Sequence, residues 1–214
     1  MAEFHISTFL PQTRDATLAN LVYCAGLPKV KELRADTHKP FLQESTRKTR
    51  GLAITHIRRS IKPFSLMAVS LWPNIGIDAE LWPGSGGDEV FLKSIIAPEE
   101  TELATSLKAK GLDAGLFLWV AKEAALKASG MVMVDPRDIV ITLIEKNYAG
   151  AAKANNSTAM VSPAQLAFFT LTAPETNETV LVALSAVKEP KAERTISIEG
   201  TKTLGLRPLN LDSH

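Results

Sequence analysis

Asp78 and Glu80 stand two residues apart in the apolar stretch "IGIDAELW", residues 75–82. In a strand, side chains at i and i+2 share a face. The two carboxylates then lie side by side and repel unless a cation or a proton sits between them. Paired oxygen ligands suit Mg2+, which takes one or two carboxylates and completes its shell with water and phosphate. Taken alone, the pair reads more simply as solvated acids at a strand end. A second set lies in "LFLWVAKEAALKASG", residues 116–130. Apolar residues cover most of that helix, which belongs in a core, yet Lys122, Glu123 and Lys127 are set into it. Buried charge is costly without a partner. Glu123 and Lys127 are four apart and share a face, with Trp119 one turn earlier. In isolation this is an ordinary surface Glu–Lys pair beside a packed tryptophan. Set against Asp78 and Glu80, it supplies a third carboxylate for a metal and an ammonium for phosphate oxygens, a recurring arrangement in phosphoryl chemistry. The expectation is that the charges of this helix hold a metal and a pyrophosphate.

Several elements must position these groups. "DATLANLVYCAG", 15–26, has helical apolar spacing and ends in glycine, a common helix stop. "LPKVKELRADTHKP", 27–40, is polar with a proline near each end and reads as a loop. "GLAITHI", 51–57, and "FSLMAVSLW", 64–72, read as strands, with "IGIDAELW" as the neighbour of the latter. "PGSGGDE", 83–89, is the clearest loop and a seam between two lobes. "APEETELATSLKAKG", 97–111, opens with Pro98 and three glutamates suited to a helix N-terminus. "RDIVITLIEK", 137–146, is a strand and "NYAGAAKANNSTAM", 147–160, a loop. "PAQLAFFTLTAP", 163–174, and "TVLVALSAV", 179–187, read as an antiparallel hairpin around "ETNE". "RTISIEG" offers an edge strand in a charged tail. Each half is helical material followed by strands. The fold class is therefore α+β with two related lobes of pseudo-twofold symmetry, each a small antiparallel sheet packed with helices. The division falls at 1–85 and 86–214.

The whole composition sets outer bounds. The chain has 214 residues, 45% of them hydrophobic and 22% charged, enough for a packed core. Lys and Arg number 24 against 23 Asp and Glu, a formal charge of +1, which argues against nucleic acid as the main partner. One cysteine, Cys24, excludes an intrachain disulfide and a clustered-cysteine zinc site. It has no paired base nearby and gets no catalytic role. The N-terminal stretch has no secretory pattern and no apolar run is long enough for a bilayer, so a cytoplasmic chain is expected. The glycosylation-like "NNS", "NST" and "NET" triplets are then chance matches.

"IGIDAE" at 75–80 followed by "WVAKEAALKASG" at 119–130 resembles the two signatures of the 4'-phosphopantetheinyl transferase superfamily. Those read, in words, Gly-apolar-Asp-x-Glu and Trp-x-x-Lys-Glu-(Ala/Ser)-x-x-Lys-x-x-Gly. Order and separation fit the surfactin-synthetase-activating type, in which two similar lobes lie in one chain. "THKPFL", 37–42, resembles the family's Gly-Lys-Pro segment with His38 for glycine. "AITHIRRS", 53–60, resembles Asn-x-Ser-His-Ser, with Thr55 and His56 for Ser-His and Ile57 for the second serine. "APEETEL" resembles the Ser-Pro-Glu-Glu segment, and Val132 stands for the second glycine after the lysine helix.

The resemblance implies transfer of 4'-phosphopantetheine from coenzyme A to a serine of an apo acyl or peptidyl carrier protein, with adenosine 3',5'-bisphosphate released. Asp78, Glu80 and Glu123 would hold Mg2+. Lys39, Thr55, His56 and Lys127 would contact coenzyme A, mainly its phosphates. Glu123 would take the serine proton and Lys127 would steady the phosphates during transfer. Arg58, Arg59 and Lys62 would meet phosphates or an acidic carrier. No nucleic acid or membrane is implied, and internal duplication points to a monomer. The departures at Ile57 and Val132 keep open a non-catalytic relative that binds coenzyme A or a carrier. A third alternative is an unrelated α+β interaction protein.

Overall fold

A computed structural model of the chain describes residues 2–27, 29–34, 39–82, 88–131, 134–144, 149–154, 164–173, 176–187, 196–199 and 207–208. The elements run β1 (Ala2–Phe9), α1 (Arg14–Cys24), β2 (Val30–Arg34), β3 (Pro40–Glu44), β4 (Thr49–Ile57), β5 (Phe64–Ser70) and β6 (Ile75–Leu81). They continue through α2 (Glu89–Ile95), α3 (Thr101–Ala109), α4 (Ala114–Ser129), β7 (Ile139–Ile144), β8 (Ala149–Ala154), β9 (Ala164–Thr172), β10 (Thr179–Val187), β11 (Ile196–Glu199) and β12 (Arg207–Pro208). The class is α+β: two sheets packed with helices, their neighbours antiparallel except for one pair. The first sheet has the order β11-β1-β5-β4-β3-β2, with β11 parallel to β1. The second has the order β6-β10-β9-β8-β7, with β12 beside β9.

Side-chain alternation sorts the core into layers. Leu42, Leu52, Met67 and Val69 on one face of the first sheet pack with Leu18 and Leu21 of α1. Ala53, Leu66 and Ala68 on its other face pack with Ile75, Ile77, Val182 and Leu184 of the second sheet. The far face of the second sheet, including Leu166, Phe168, Leu181 and Ala183, is covered by α4 with α2 and α3. The period of two along β5 and β10 therefore feeds two apolar layers, and both strands are buried almost end to end.

Several sequence expectations are corrected here. β6 is not the neighbour of β5; it crosses to the second sheet and pairs with β10, Asp78 opposite Ala183 and Glu80 opposite Leu181. The stretch read as a loop over 27–40 contains β2, which pairs with β3. The loop over 147–160 contains β8, paired with β7 and β9. The hairpin around "ETNE" forms as expected between β9 and β10. "RTISIEG" does supply an edge strand, β11, but to the first sheet. Val132, His38, most of the 83–89 seam and the "NNS" and "NST" triplets lie outside the described residues. Among the described residues, no helix is long and apolar enough to cross a membrane.

Candidate active site

The centre of the site is where α4 crosses β6. Asp113 caps α4 by accepting from the Leu116 amide at 3.0 Å, and Gly130 ends it in the left-handed region at φ 71°. Gly76 lets helix and strand approach. A Cβ there would sit 2.0 Å from the Ala124 carbonyl oxygen and 2.6 Å from the Ala128 nitrogen, both backbone atoms. Only glycine fits this crossing, which accounts for its place in "IGIDAE". Ile75, Ile77 and Ala79 face the first sheet, so Gly76, Asp78 and Glu80 face α4.

The helix offers that face a half-buried stripe of Leu116, Trp119, Glu123 and Lys127, while the rest of its circumference is largely buried. Trp119 lies edge-on to Phe91 with ring centroids 5.7 Å apart. The Lys127 ammonium donates to Asp78 Oδ1 at 2.5 Å, and the Thr55 hydroxyl of β4 donates to the same oxygen at 2.9 Å. Lys127 also approaches Thr55 Oγ1 at 3.4 Å. Its ion-pair partner is thus Asp78, not the Glu123 four residues away that a surface pair would use.

The other two acids are held against their own charge. Burial pushes the Glu123 carboxyl above its ordinary value, and the charges of Asp78 and Glu80 add to this while Lys127 opposes it. Glu80 is raised by burial and by Asp78, with Arg59 and Lys127 opposing. Three acids therefore share one field with one close ammonium. Among the described residues, no group of three or more His, Cys, Asp and Glu side chains is gathered closely enough to hold a metal as it stands. Lys127 and Thr55 occupy Asp78 Oδ1 instead. The donor set still fits a hard divalent cation. It is all oxygen, and a cation among the acids would relieve the repulsion and burial that raise Glu80 and Glu123.

Lys39 reaches the same helix from the first sheet. Its ammonium donates to the Ala128 carbonyl at 2.6 Å, one of the carbonyls left open near a helix end. Burial lowers it to about 8. His56 points the other way from Thr55, onto the α1 side of β4, where Nδ1 lies 2.7 Å from the hydroxyl of its cross-strand neighbour Ser65. Its pKa lies below the ordinary histidine value through burial first, then the charges of Arg58, Lys127 and Arg14. Ile57, where the family pattern has a second serine, is fully buried in the layer between the sheets. The structure thus brings Thr55, Asp78 and Lys127 into contact and groups Glu80 and Glu123 with them. It sets Lys39 one turn-end away and turns His56 aside.

Lys122 has a different purpose from the one expected of it. It is fully buried and donates to Glu100 Oε2 at 2.6 Å, to the Ile95 carbonyl at 2.7 Å and to the Pro136 carbonyl at 2.9 Å. Glu100 in turn accepts from the Ala97 and Ile141 amides. The sequence gives this glutamate to a helix N-terminus; the structure buries it fully and pairs it with Lys122. Every donor of the ammonium is used, which makes such a burial tolerable. The pair fixes the back of α4, and so the rotation that aims Glu123 and Lys127 at β6. Two adjacent residues of one motif, Lys122 and Glu123, therefore have opposite jobs.

Residues 74–169 match the family model of the 4'-phosphopantetheinyl transferase superfamily, a span that contains both signatures and the whole α4–β6 crossing. No curated protein matches the chain.

Proposed function

We propose that this chain, whose residues 74–169 match the model of the 4'-phosphopantetheinyl transferase superfamily, moves 4'-phosphopantetheine from coenzyme A to a serine of an apo acyl or peptidyl carrier protein. The observation that carries the reading is the acid group Asp78, Glu80 and Glu123 facing Lys127 and Thr55 across α4 and β6. The serine oxygen bonds to the phosphorus next to the pantetheine. The bond from that phosphorus to the bridging oxygen breaks, and adenosine 3',5'-bisphosphate leaves.

Asp78, Glu80 and Glu123 would hold Mg2+, which when bound supplies charge neutralisation to the pyrophosphate. Glu123, carried by α4 on the same stripe as Lys127, accepts the serine proton. Lys127 exchanges Asp78 for phosphate oxygens, whose charge grows as the bond breaks. Thr55 steers the same phosphates by its hydroxyl. Lys39 takes the nucleotide end, leaving the Ala128 carbonyl to do so; His56, turned onto the α1 side of β4, is given the same role by the resemblance alone. The chain is read as the two-lobe, surfactin-synthetase-activating type, divided near residue 85, with the monomer as the working unit.

Single-turnover mass spectrometry tests this: apo carrier, coenzyme A and Mg2+ should yield a carrier heavier by one phosphopantetheine on its serine. Retained coenzyme A binding without any mass gain on fatty-acid, polyketide or peptide-synthetase carriers would replace the enzyme with a non-catalytic relative.

A further inference from the structure

The loop of residues 58–63 between β4 and β5 is basic, and it is built rather than loose. Arg58 and Arg59 are exposed, and between them and Lys62 the Ile61 side chain is 80% exposed. The intervening Ser60 is buried, and its hydroxyl donates to Glu178 Oε2 at 2.6 Å. The Ile61 amide donates to the same oxygen at 3.3 Å. Glu178 belongs to the turn between β9 and β10, whose next residue, Thr179, accepts from the Trp82 amide at 2.8 Å just past β6. The loop of the first sheet, the turn of the second and the Glu80 end of β6 thus form one continuous rim. The bond to Ser60 also lowers the Glu178 carboxyl, keeping this anchor ionised.

An exposed isoleucine among arginines has no use to a phosphate, but it suits a protein surface with apolar and acidic residues together. We infer that the 58–63 loop is the docking rim for the acceptor protein, recognising an acidic surface with an apolar seat for Ile61 beside the serine to be modified. This rests on the transfer reading above. Rim charges of this kind speed encounter and make it salt-dependent, without adding much at the reacting atoms.

The probe is a recombinant acidic apo acyl carrier protein. Its serine-to-alanine form is used for binding by calorimetry, so that docking is measured whether or not transfer occurs. Coenzyme A binding is measured separately. Arg58→Glu/Arg59→Glu and Ile61→Asp should each weaken carrier binding about tenfold or more, and the reversal should flatten its dependence on salt. Coenzyme A affinity should stay within about twofold. All three positions are exposed, so both variants should fold, with circular dichroism as the control. Parent-like carrier binding by both variants overturns the inference, as does a parent that binds no carrier at all. Loss of coenzyme A affinity with carrier binding intact would instead make the loop a phosphate site. Absence of transfer despite loop-dependent carrier binding would sink the transfer reading and leave the docking rim standing.

Discussion

Lys127 does two things that pull its substitutions in different directions. In the free chain it neutralises a carboxylate in an acid-rich pocket, and in the proposed reaction it moves to phosphate. Lys127→Ala should lower carrier modification by about two orders of magnitude or more, the scale of losing one preorganised donor. Single-turnover mass gain reads it. The same change leaves Asp78 with Thr55 alone and should cost about 1–3 kcal/mol of stability, more than a surface ion pair would. Glu123 supplies the counterpart. Its folded pKa lies above its unfolded one, so the folded state binds the extra proton and stability falls as pH rises through the gap between them. Glu123→Gln should therefore melt higher than the parent at neutral pH without metal. The difference should vanish below about pH 4, where both forms are protonated. A scan of melting temperature against pH decides it, and a parent that melts higher throughout would contradict the assigned burial cost. Both residues were legible in the sequence because helix spacing fixes which side chains share a face. Lys127's partner was not, because local spacing offers Glu123 while the tertiary crossing offers Asp78.

Elements hold these residues by contacts that the sequence only hints at. The buried Lys122–Glu100 pair joins α4 to the ends of α2 and β7. Lys122→Met should cost about 3–5 kcal/mol, because it strands a buried carboxylate. Adding Glu100→Gln should recover part of that, since the carboxamide is uncharged and its oxygen still accepts from a backbone amide. Urea midpoints measure both, and an undiminished loss in the double variant would mean that packing rather than stranded charge is responsible. A lysine in an apolar helix signals that it needs a partner, but Glu100 lies far along the chain and looks like a helix-end acid there. The strand errors have equally local causes. Sequential strands pair by default, so the sequence points β6 to β5. β8, rich in alanine and glycine, has little strand propensity. β2, rich in charge, is held by its pairing with β3 rather than by a buried face.

At the scale of the whole molecule, the site draws on both sheets. Thr55 and Lys39 come from the first sheet and its β3 end, Asp78 and Glu80 from the second, Glu123 and Lys127 from the helix over it. A ligand filling that junction binds the folded chain and not the unfolded one, so it stabilises the entire molecule. At a hundred times its dissociation constant the gain is about 2.7 kcal/mol. Coenzyme A with Mg2+ should raise the parent's melting temperature, and Asp78→Ala should lose the Mg2+-dependent part. Unchanged Mg2+-dependent binding by Asp78→Ala in calorimetry would remove that acid from the metal set. The α+β class followed from helical stretches succeeded by strand stretches along the chain. The packing of one sheet on the other did not, because period-two patterns show that a face is buried without naming what covers it.

The crossing of β6 into the second sheet also sets when this site can exist. Ile75 pairs with Ala186 and Leu81 with Val180, so the strand bearing Asp78 and Glu80 emerges from the ribosome long before its partner. A nascent chain that has reached Gly130 already carries both signatures, yet its β6 is an apolar edge with nothing to pair with. Closing so long a loop is slow even where its entropic cost grows only gently with length. During that interval the exposed edge invites association with other chains. Completion of the site and pairing of the inner edge of β6 are therefore one late event, the arrival of β10, and a chain released before Thr179 should lack a formed site and associate more readily than the full chain.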